Sequence, residues 1–282
     1  MKILLVGGNS SLAQVLKPVL DRFAEVTTAG RRDCDLEFDL GNIDPTFSIP
    51  DDIDTVINTA AAFGGSSIGD LEQITRVNVL GTLALGRLCS EAKVKHLVLV
   101  SSIFALLDPD SPFHTAYSLS KRQADEWAQL QAKKTGLPLT ILRPSQFYGT
   151  GSFHRRHQPF LSTMIERARR GEDIDIYGSN DALRNFIHVE DVAEVLASVV
   201  RLGMTGTYCC ASLQNLRYSQ IANAAIKAFA STGEIRFLAD KPDIPDNAFE
   251  ADEAFYDAIG YRPRISIEAG MRMEAAYLEA GS

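Results

Sequence analysis

The sequence predicts an α/β fold: a doubly wound parallel sheet with a smaller C-terminal region interleaved with it. Two observations support this prediction. Short runs rich in Leu and β-branched residues alternate with longer helical patterns through the first half, which is typical of βαβ units. Continuous apolar runs, Ile3 to Val6 and Leu97 to Val100, suit strands that are buried on both faces of a parallel sheet.

The first half is expected to supply five strands and three helices. The expected strands are Lys2 to Val6, Glu25 to Ala29, Thr55 to Thr59, His96 to Ser101 and Leu139 to Arg143. The expected helices between them are Leu12 to Phe23, Leu71 to Lys93 and Ser118 to Thr135.

The second half of the chain is less regular. Helices are expected at Pro159 to Arg170, from about Val189, at Ser219 to Ala230 and at Ser266 to Leu278, with a proline-containing loop at Asp240 to Asp246. We therefore divide the 282 residues into a first domain, 1–145 and 186–212, and a second region, 146–185 and 213–282.

Composition excludes several classes of function. The net charge of −8 and the lack of a sustained Lys/Arg block argue against nucleic-acid binding. No segment is long and apolar enough to span a membrane, and the N-terminal apolar run is too short for a signal peptide. The four cysteines, Cys34, Cys89, Cys209 and Cys210, lack the spacing of metal ligands. We expect buried thiols in a cytoplasmic protein without a metal.

A turn suited to phosphate binding follows the first expected strand. A dinucleotide-binding (Rossmann) turn needs small residues at three places, which here are Gly7, Ser10 and Ala13. The helix N-terminus behind the turn presents N–H groups and the positive end of a dipole to an anion. A tight turn with Ser10 as the helix N-cap explains the serine equally well. The cofactor contacts expected in this turn are Gly7, Asn9, Ser10, Ser11 and Leu12.

The end of the second strand indicates which nicotinamide cofactor is bound. An acid near this point binds the ribose 2′-hydroxyl of NAD, whereas an arginine accommodates the 2′-phosphate of NADP. Arg31 and Arg32 stand here, with Asp33 next to them, so NADP(H) is favoured over NAD(H). Asp39 and Leu40 are expected at the adenine, although Asp39 also fits a solvated loop.

Tyr117 and Lys121 form a Tyr-x-x-x-Lys pair on the helix expected at Ser118 to Thr135. Residues four apart share a helix face, so the ammonium can favour the phenolate. The phenol can then donate or accept the proton that accompanies hydride transfer. Ser102, at the end of the strand His96 to Ser101, can hydrogen-bond the same substrate oxygen. The pair is common in helices by itself, and its position after Ser101 and Ser102 makes it a candidate catalytic group.

Further motifs occur in a fixed order along the chain. They are Asn58 to Ala61, Asn78 to Thr82, Val100 to Ser102, Arg143 to Gly149, Arg184 to Ala193 and Gly260 to Pro263. With these motifs, the turn and the Tyr-x-x-x-Lys pair, the sequence resembles the extended short-chain dehydrogenase/reductase family, the NAD-dependent epimerase/dehydratase group. The resemblance runs from Met1 to about Ser212 and continues more weakly to Gly270.

The resemblance implies a role for each matching residue. Ser102, Tyr117 and Lys121 would be the catalytic triad, and Lys121 would also contact the nicotinamide ribose. Thr59, Ala60 and Ala61 would line the cofactor site, and Pro144 and Phe147 would lie at its nicotinamide end. The substrate would meet Ser102, Gln146 and Arg184, with Arg184 gripping the diphosphate of a nucleotide sugar. His188 and Asp191 would be structural.

Three departures from the family pattern bear on function. The glycine turn is degenerate, Ala105 to Leu107 replace an aromatic-Gly pair, and Gln146 stands where asparagine is frequent. Ile103 and Phe104 lack the acid–base pair that a sugar-nucleotide 4,6-dehydratase needs after the catalytic hydroxyl. The expected activity is therefore an NADPH-dependent reductase of a keto group on a nucleotide-activated, 6-deoxy sugar.

Two other functions stay open. A nucleotide-sugar C4 epimerase would use the same residues with a tightly held NAD, and a non-catalytic NADP(H) sensor or scaffold would use only the fold. The expected dinucleotide-binding domain is 1–145 and 186–212, and the expected substrate-binding region is the rest. A homodimer through the helices Leu71 to Lys93 and Ser118 to Thr135 is implied by the resemblance. The polar loop His154 to His157 either contacts substrate or is simply exposed.

Overall fold

The computed structural model describes residues 1–151 and 158–280, so the loop His154 to His157 lies outside the described residues. The chain divides into two compact units. Unit 1 comprises Met1–Pro144, Ala193–Cys210 and Asp252–Tyr261, and unit 2 comprises Ser145–Val192, Ala211–Ala251 and Arg262–Ser282. Unit 2 therefore includes 186–192, and unit 1 takes in the short segment at 252–261. The functional roles expected for the two regions remain predictions.

Unit 1 is built on a seven-stranded, fully parallel sheet. Its strands are β1 (Lys2–Val6), β2 (Glu25–Gly30), β3 (Leu36–Glu37), β4 (Thr55–Asn58), β5 (His96–Val100), β6 (Leu139–Pro144) and β11 (Gly206–Cys210). Their order is β11-β6-β5-β4-β1-β2-β3, with the topological switch between β1 and β4. The expected fold class is confirmed, and the five strands predicted for the first half are found within one residue at each end.

Helices lie between the strands of unit 1, and one more follows its last strand. They are α1 (Ser11–Leu20), α2 (Ile68–Ile74), α3 (Gly81–Glu91), α4 (Ala116–Thr135), α6 (Val189–Leu202, which begins in unit 2) and α8 (Glu253–Ile259). The helix expected at Leu71 to Lys93 is not uniform, because a π-helical turn at Thr75–Leu80 separates α2 from α3. A 3₁₀ turn at Ile103–Leu106 follows β5.

Alternation along the strands divides the core of unit 1 between the two faces of the sheet. Leu4 and Val6 of β1 belong to one apolar cluster together with Leu85 and Leu88 of α3. Successive strand residues point to opposite faces, so Ile3 and Leu5, both 0% exposed, lie on the other face. Both faces are apolar, as the continuous Ile3 to Val6 run predicts for a parallel sheet.

Unit 2 contains short strands and three helices within the described residues. The strands are β7 (Gln146–Tyr148), β8 (Ile174–Tyr177), β9 (Leu183–Arg184), β10 (Phe186–His188), β12 (Leu216–Arg217) and β13 (Ile235–Leu238). They pair as β7 with β10 and β8 with β13, both parallel, and β9 with β12, antiparallel. The helices are α5 (Pro159–Arg170), α7 (Tyr218–Ala228) and α9 (Ile267–Ala280). In the ranges 1–151 and 158–280, no helix combines the length and the apolar character needed to cross a membrane.

Candidate active site

The turn after β1 brings the backbone close to the loop that follows β4. Gly7 has a φ of +79°, and a Cβ added to it would lie 2.6 Å from the backbone nitrogen of Ala60. The N–H groups of Gly7 and Gly8 both donate to the carbonyl of Ala29, at 2.8 and 3.2 Å. The β1–α1 turn is therefore held against the ends of both β2 and β4, next to the expected cofactor residues Thr59 and Ala60.

Ser10 is the N-cap of α1. Its Oγ accepts from the N–H of Ala13 at 3.1 Å and lies 2.9 Å from the Oγ1 of Thr59. Since Thr59 donates its hydroxyl hydrogen to the carbonyl of Val6, Ser10 is the donor to Thr59. The N–H groups of Ser11 and Leu12, in the first turn of α1, have no intrahelical acceptor by position. A phosphate could be bound there.

Two exposed arginines follow β2. Arg31 and Arg32 are both exposed, and the carbonyl of Arg32 accepts a hydrogen bond from the side chain of Asn9. Asp35 turns away from this position, because its Oδ2 accepts from both the N–H and the hydroxyl of Thr28, at 2.7 and 2.8 Å. These hydrogen bonds lower the pKa of Asp35.

Asp39 and Leu40, the residues expected at the adenine, follow β3. The Oδ1 of Asp39 accepts from the N–H of Gly41 at 2.9 Å and so fixes the loop. Leu40 is buried, and a Cβ added to Gly81 at the start of α3 would lie 2.5 Å from the Leu40 carbonyl oxygen. This segment is thus packed tightly against α3.

The start of α4 brings the three expected catalytic side chains together. Thr115 caps the helix, with a reciprocal hydrogen bond to Ser118. The hydroxyl of Ser102, the residue that caps the 3₁₀ turn after β5, lies close enough to the Tyr117 phenol to lower its pKa. The Nζ of Lys121 lies 5.8 Å from the centre of the Tyr117 ring and donates to the carbonyl of Val100 at 3.0 Å.

Burial controls the protonation of this site. It raises the pKa of the Tyr117 phenol, and the nearby Ser102 hydroxyl opposes that shift. Burial lowers the pKa of Lys121 to about 8, which the carboxylate of Asp125 opposes. Desolvation penalises the charged form of each group, and a neighbouring opposite charge restores it. Near neutral pH the pair is therefore a neutral phenol beside an ammonium, an arrangement that can protonate a developing alkoxide.

An aromatic ring covers one face of the Tyr117 phenol. Phe63, in the loop after β4, is stacked on Tyr117 with a centroid distance of 4.7 Å and an interplanar angle of 18°. The glycines that follow it, Gly64 and Gly65, have φ values of +127° and +119°. Sequence reasoning missed Phe63, because no local pattern indicates a contact between residues 54 positions apart.

Asn78 ties this loop to α4. It is 2% exposed; its Oδ1 accepts from the N–H of Ala62, and its Nδ2 donates to the carbonyl of Ala62 and to the Oγ of Ser120. The residue lies in the π-helical turn, a feature often found at functional sites. The sequence marked Asn78 as part of a motif without indicating this bridging role.

The short segment after Ser102 is held in place by α4. Ile103 and Ala105 are buried, and their hydrocarbon side chains cannot act as an acid or a base. Arg122, next to Lys121, donates to the carbonyls of Ala105 and Leu107. Arg122 therefore fixes the backbone of Ala105 to Leu107, the segment that replaces the aromatic-Gly pair of the family pattern.

Three further expected site residues lie at the end of β6 or directly after it. Pro144 is the last residue of β6, and Gln146 and Phe147 belong to β7 of unit 2. The Nε2 of Gln146 donates to the Oε1 of Gln158 at 3.1 Å.

Arg184 is held inside unit 2 in this structure. It is 5% exposed, its Nη1 donates to the carbonyls of Leu183 and Pro245 at 2.6 and 2.9 Å, and its guanidinium lies 4.5 Å from the ring centre of Tyr218. Burial lowers its pKa, while Tyr218 and Asp246 oppose the shift. Its expected contact with a diphosphate remains a prediction. The described residues contain no group of three or more His, Cys, Asp or Glu side chains that could hold a metal ion.

The chain is similar to several known proteins. It is 25% identical over 272 residues to a trifunctional UDP-glucose 4,6-dehydratase/UDP-4-keto-6-deoxy-D-glucose 3,5-epimerase/UDP-4-keto-L-rhamnose-reductase of Arabidopsis thaliana. The match covers 83% of this chain and 40% of that protein, so the chain spans less than half the length of this relative.

Two solved structures share its fold. The Bordetella bronchiseptica enzyme WbmF in complex with NADH matches with a TM-score of 0.82 and 22% identity, over 99% of this chain and 92% of that one. A UDP-glucuronic acid 4-epimerase from Bacillus cereus, in complex with UDP-glucuronic acid and NAD, matches with a TM-score of 0.81 and 17% identity, over 100% of both chains.

A family-level sequence match covers most of the chain. The description "NAD dependent epimerase/dehydratase family" applies to residues 3–207. This range holds the β1–α1 turn, the Ser102, Tyr117 and Lys121 cluster, and Arg184. The chain therefore belongs to the NAD-dependent epimerase/dehydratase family of extended short-chain dehydrogenases/reductases.

Proposed function

We propose that this protein is a reductase that transfers hydride from a nicotinamide cofactor to a keto group on a nucleotide-activated sugar. The observation that carries the proposal is the cluster of Ser102, Tyr117 and Lys121, in which a neutral phenol lies near the Ser102 hydroxyl and the Lys121 ammonium lies 5.8 Å from the centre of the phenol ring. Tyr117 would protonate the alkoxide that forms as hydride arrives, while Ser102 orients the oxygen and Lys121 stabilises negative charge.

The cofactor would lie along the ends of β1, β2 and β4. Its pyrophosphate would meet the N-terminus of α1, and Thr59, Ala60, Ala61, Pro144 and Phe147 would follow towards the nicotinamide. The hydride donor is the nicotinamide when it is bound. We propose 1–145 and 186–212 as the dinucleotide-binding part and the remaining segments, with Gln146 and Arg184, as the substrate-binding part.

A 4,6-dehydratase is disfavoured although such activities occur in the names of relatives. The residues that follow Ser102 are Ile103 and Phe104, and Ile103 is 2% exposed. Elimination of water from the sugar requires an acid and a base at the reacting carbons. Neither side chain can act as one.

The test is reduced-nicotinamide absorbance over time with a panel of 4-keto nucleotide sugars, and chromatography of the products. Steady cofactor consumption matched by a reduced sugar is expected. The Tyr117→Phe variant, which retains the Phe63 stacking, should lose about 10²- to 10⁴-fold in kcat and keep its cofactor affinity. Undiminished turnover in this variant would contradict the assignment of the proton donor.

A C4 epimerase is the second candidate, because the same three side chains serve oxidation followed by re-reduction and because a 4-epimerase shares the fold. An epimerase would interconvert 4-hydroxy nucleotide sugars without net cofactor consumption, and its NAD would stay bound through gel filtration. A protein that binds cofactor tightly and turns over no substrate in either assay would instead be the sensor or scaffold.

We propose NADP(H) as the preferred cofactor, on the strength of Arg31 and Arg32 after β2 and of the inward turn of Asp35 onto Thr28. The family description and the two similar structures name NAD or NADH, so both cofactors must be compared. The Arg31→Ala/Arg32→Ala variant should raise the KM for NADPH about tenfold or more and leave the KM for NADH nearly unchanged. Equal effects on the two cofactors would remove the argument for the 2′-phosphate.

We propose a homodimer that uses α4 and the neighbouring helices. Leu119, Trp127 and Leu130 on α4, and Leu71 on α2, are exposed apolar side chains. Light scattering after size exclusion should give twice the chain mass, and Trp127→Asp should give the monomer mass with unchanged circular dichroism. A monomeric wild-type protein would contradict the proposal of a dimer.

We also propose a cytoplasmic location, from the cysteine pattern of the sequence.

A further inference from the structure

A buried charge pair lies one helical turn beyond Lys121. Asp125 of α4 is 2% exposed, and its Oδ2 accepts from the Nε of Arg143, at the end of β6, at 2.8 Å. The proposed chemistry does not use either side chain. Because removing two charges from water is costly, a buried ion pair by itself is weak evidence of a stabilising role.

The position of Asp125 relates it to the reaction centre. Tyr117, Lys121 and Asp125 follow one another at intervals of four residues and therefore share one face of α4. Lys121 is 6% exposed, and its Nζ donates a hydrogen bond to the carbonyl of Val100 at 3.0 Å. Asp125 is thus a negative charge on the same buried face as the ammonium.

The other elements around the pair supply a cation, a thiol and a further carboxylate, Asp252. Arg143 comes from β6, and Cys209 of β11 is its partner in the parallel register. Burial raises the pKa of Cys209, with Arg143 opposing and Asp252 and Asp125 adding to the shift, so this thiol is uncharged near neutral pH. Burial raises the pKa of Asp125, and the nearby Ser101 hydroxyl, the hydrogen bond from Arg143 and the charges of Arg143 and Lys121 oppose that shift. Asp125 is therefore favoured as a carboxylate that is paired with Arg143 and shares a buried helix face with Lys121.

We propose that Asp125, fixed by Arg143, is a positioning residue that acts through Lys121 by keeping its side chain charged beside the phenol of Tyr117. The inference rests on the proposed function for the role of Lys121, and it adds a group that acts only through that lysine. Burial works against the charge on Lys121 and lowers its pKa to about 8, while Asp125 works in the opposite direction. Loss of Asp125 should therefore move the titration of Lys121 to lower pH.

The deciding experiment needs no substrate. The side-chain nitrogen of Lys121 is followed by NMR in the intact, lysine-labelled protein as the pH rises, with its signal assigned from Lys121→Arg. The midpoint of Lys121 should be lower in Asp125→Asn than in the wild type, and Asp125→Glu should restore it. An unchanged midpoint in folded Asp125→Asn would overturn the proposal.

Two variants separate this role from structural support. Asp175→Asn is the control: it breaks another ion pair between a strand and a helix, the one that Asp175 forms with Arg167 at 2.6 Å. This variant should leave the titration midpoint of Lys121 unchanged. Asp125→Asn leaves a buried guanidinium without its partner and can therefore unfold the chain. The double variant Asp125→Asn/Arg143→Gln removes both charges, and the same lowered midpoint is expected from it. A wild-type midpoint in the folded double variant would also overturn the proposal.

The pH profile of kcat/KM gives the functional readout. In Asp125→Asn the alkaline limb should begin at lower pH. A pKa of Lys121 lowered by one unit from about 8 gives a loss of about fivefold at pH 8 and little loss at pH 6. A uniform loss at every pH would indicate a structural role and contradict the proposal. If no keto sugar is turned over at all, the proposed function fails, and the Lys121 titration still decides the role of Asp125.

Discussion

Gly7 and Gly136 share a backbone conformation and differ in their surroundings. Gly7 has a φ of +79° and Gly136, at the end of α4, a φ of +74°. A Cβ on Gly7 would meet the nitrogen of Ala60 at 2.6 Å, whereas nothing lies within 4 Å of one on Gly136. Gly7 is therefore required by conformation and by space, and Gly136 by conformation alone.

Alanine at the two glycines should separate these effects. Gly136→Ala is expected to lower the free energy of unfolding by about 1 kcal/mol, the usual cost of a left-handed alanine. Gly7→Ala should cost about 2–4 kcal/mol, because the β1–α1 turn must also move away from Ala60. Urea unfolding followed by circular dichroism measures both. Equal losses would show that the turn shifts without strain.

At the level of single residues, sequence predicted the groups that belong to local patterns. Ser10, Tyr117 and Lys121 stand at spacings that a helix or a turn imposes, so their positions could be anticipated. The Asp125–Arg143 pair and the stacking of Phe63 on Tyr117 join residues that are distant in sequence. Such contacts depend on which elements become neighbours in the sheet, and local periodicity does not carry that information.

Among the elements, the π-helical turn at Thr75–Leu80 interrupts what the sequence presents as one long helix. Asn78 sits within it and holds the loop after β4 through both backbone groups of Ala62. The turn therefore positions the end of the segment Thr59 to Ala61, which is expected to line the cofactor.

Asn78→Ala should loosen this loop. It removes three hydrogen bonds of a buried side chain and leaves the Ala62 backbone and the Ser120 hydroxyl without that partner, which should cost about 2–4 kcal/mol of unfolding free energy. The Kd for the cofactor, measured by fluorescence titration, should rise. Asn223→Ala, at an exposed position of α7, is the control and should change neither quantity. An unchanged Kd for Asn78→Ala would show that the loop after β4 does not affect cofactor binding.

Across the whole molecule, buried histidines make stability depend on pH. Burial lowers the pKa of His188 from 6.5 to about 4, with Asp191 opposing the shift, and burial also lowers the pKa of His96. Between these two pH values the unfolded chain binds a proton at His188 that the native protein does not. The contribution of His188 to the free energy of unfolding is therefore fully present above pH 6.5 and is lost as the pH decreases towards 4.

The expected slope for His188 alone is at most about 1.4 kcal/mol per pH unit. Urea unfolding at pH 7, 6 and 5, followed by circular dichroism, measures it. His188→Gln should be less stable than the wild type at pH 7 and should show a shallower decline towards pH 5. A wild-type slope in this variant would assign the acid sensitivity to other groups.

The sequence by itself determined the fold class, the order of the main strands and helices, and the spacing of Tyr117 and Lys121. It could do so because strand burial, helix periodicity and turn chemistry are properties of neighbouring residues. Only the tertiary structure decided the two- to four-residue strands of unit 2, the break between α2 and α3, the inward hydrogen bonds of Arg184 and the charge pair beside Lys121. Strands of two to four residues contain at most two repeats of the two-residue strand pattern, which is too few to identify them. Each of the other features forms only when segments distant in sequence pack together.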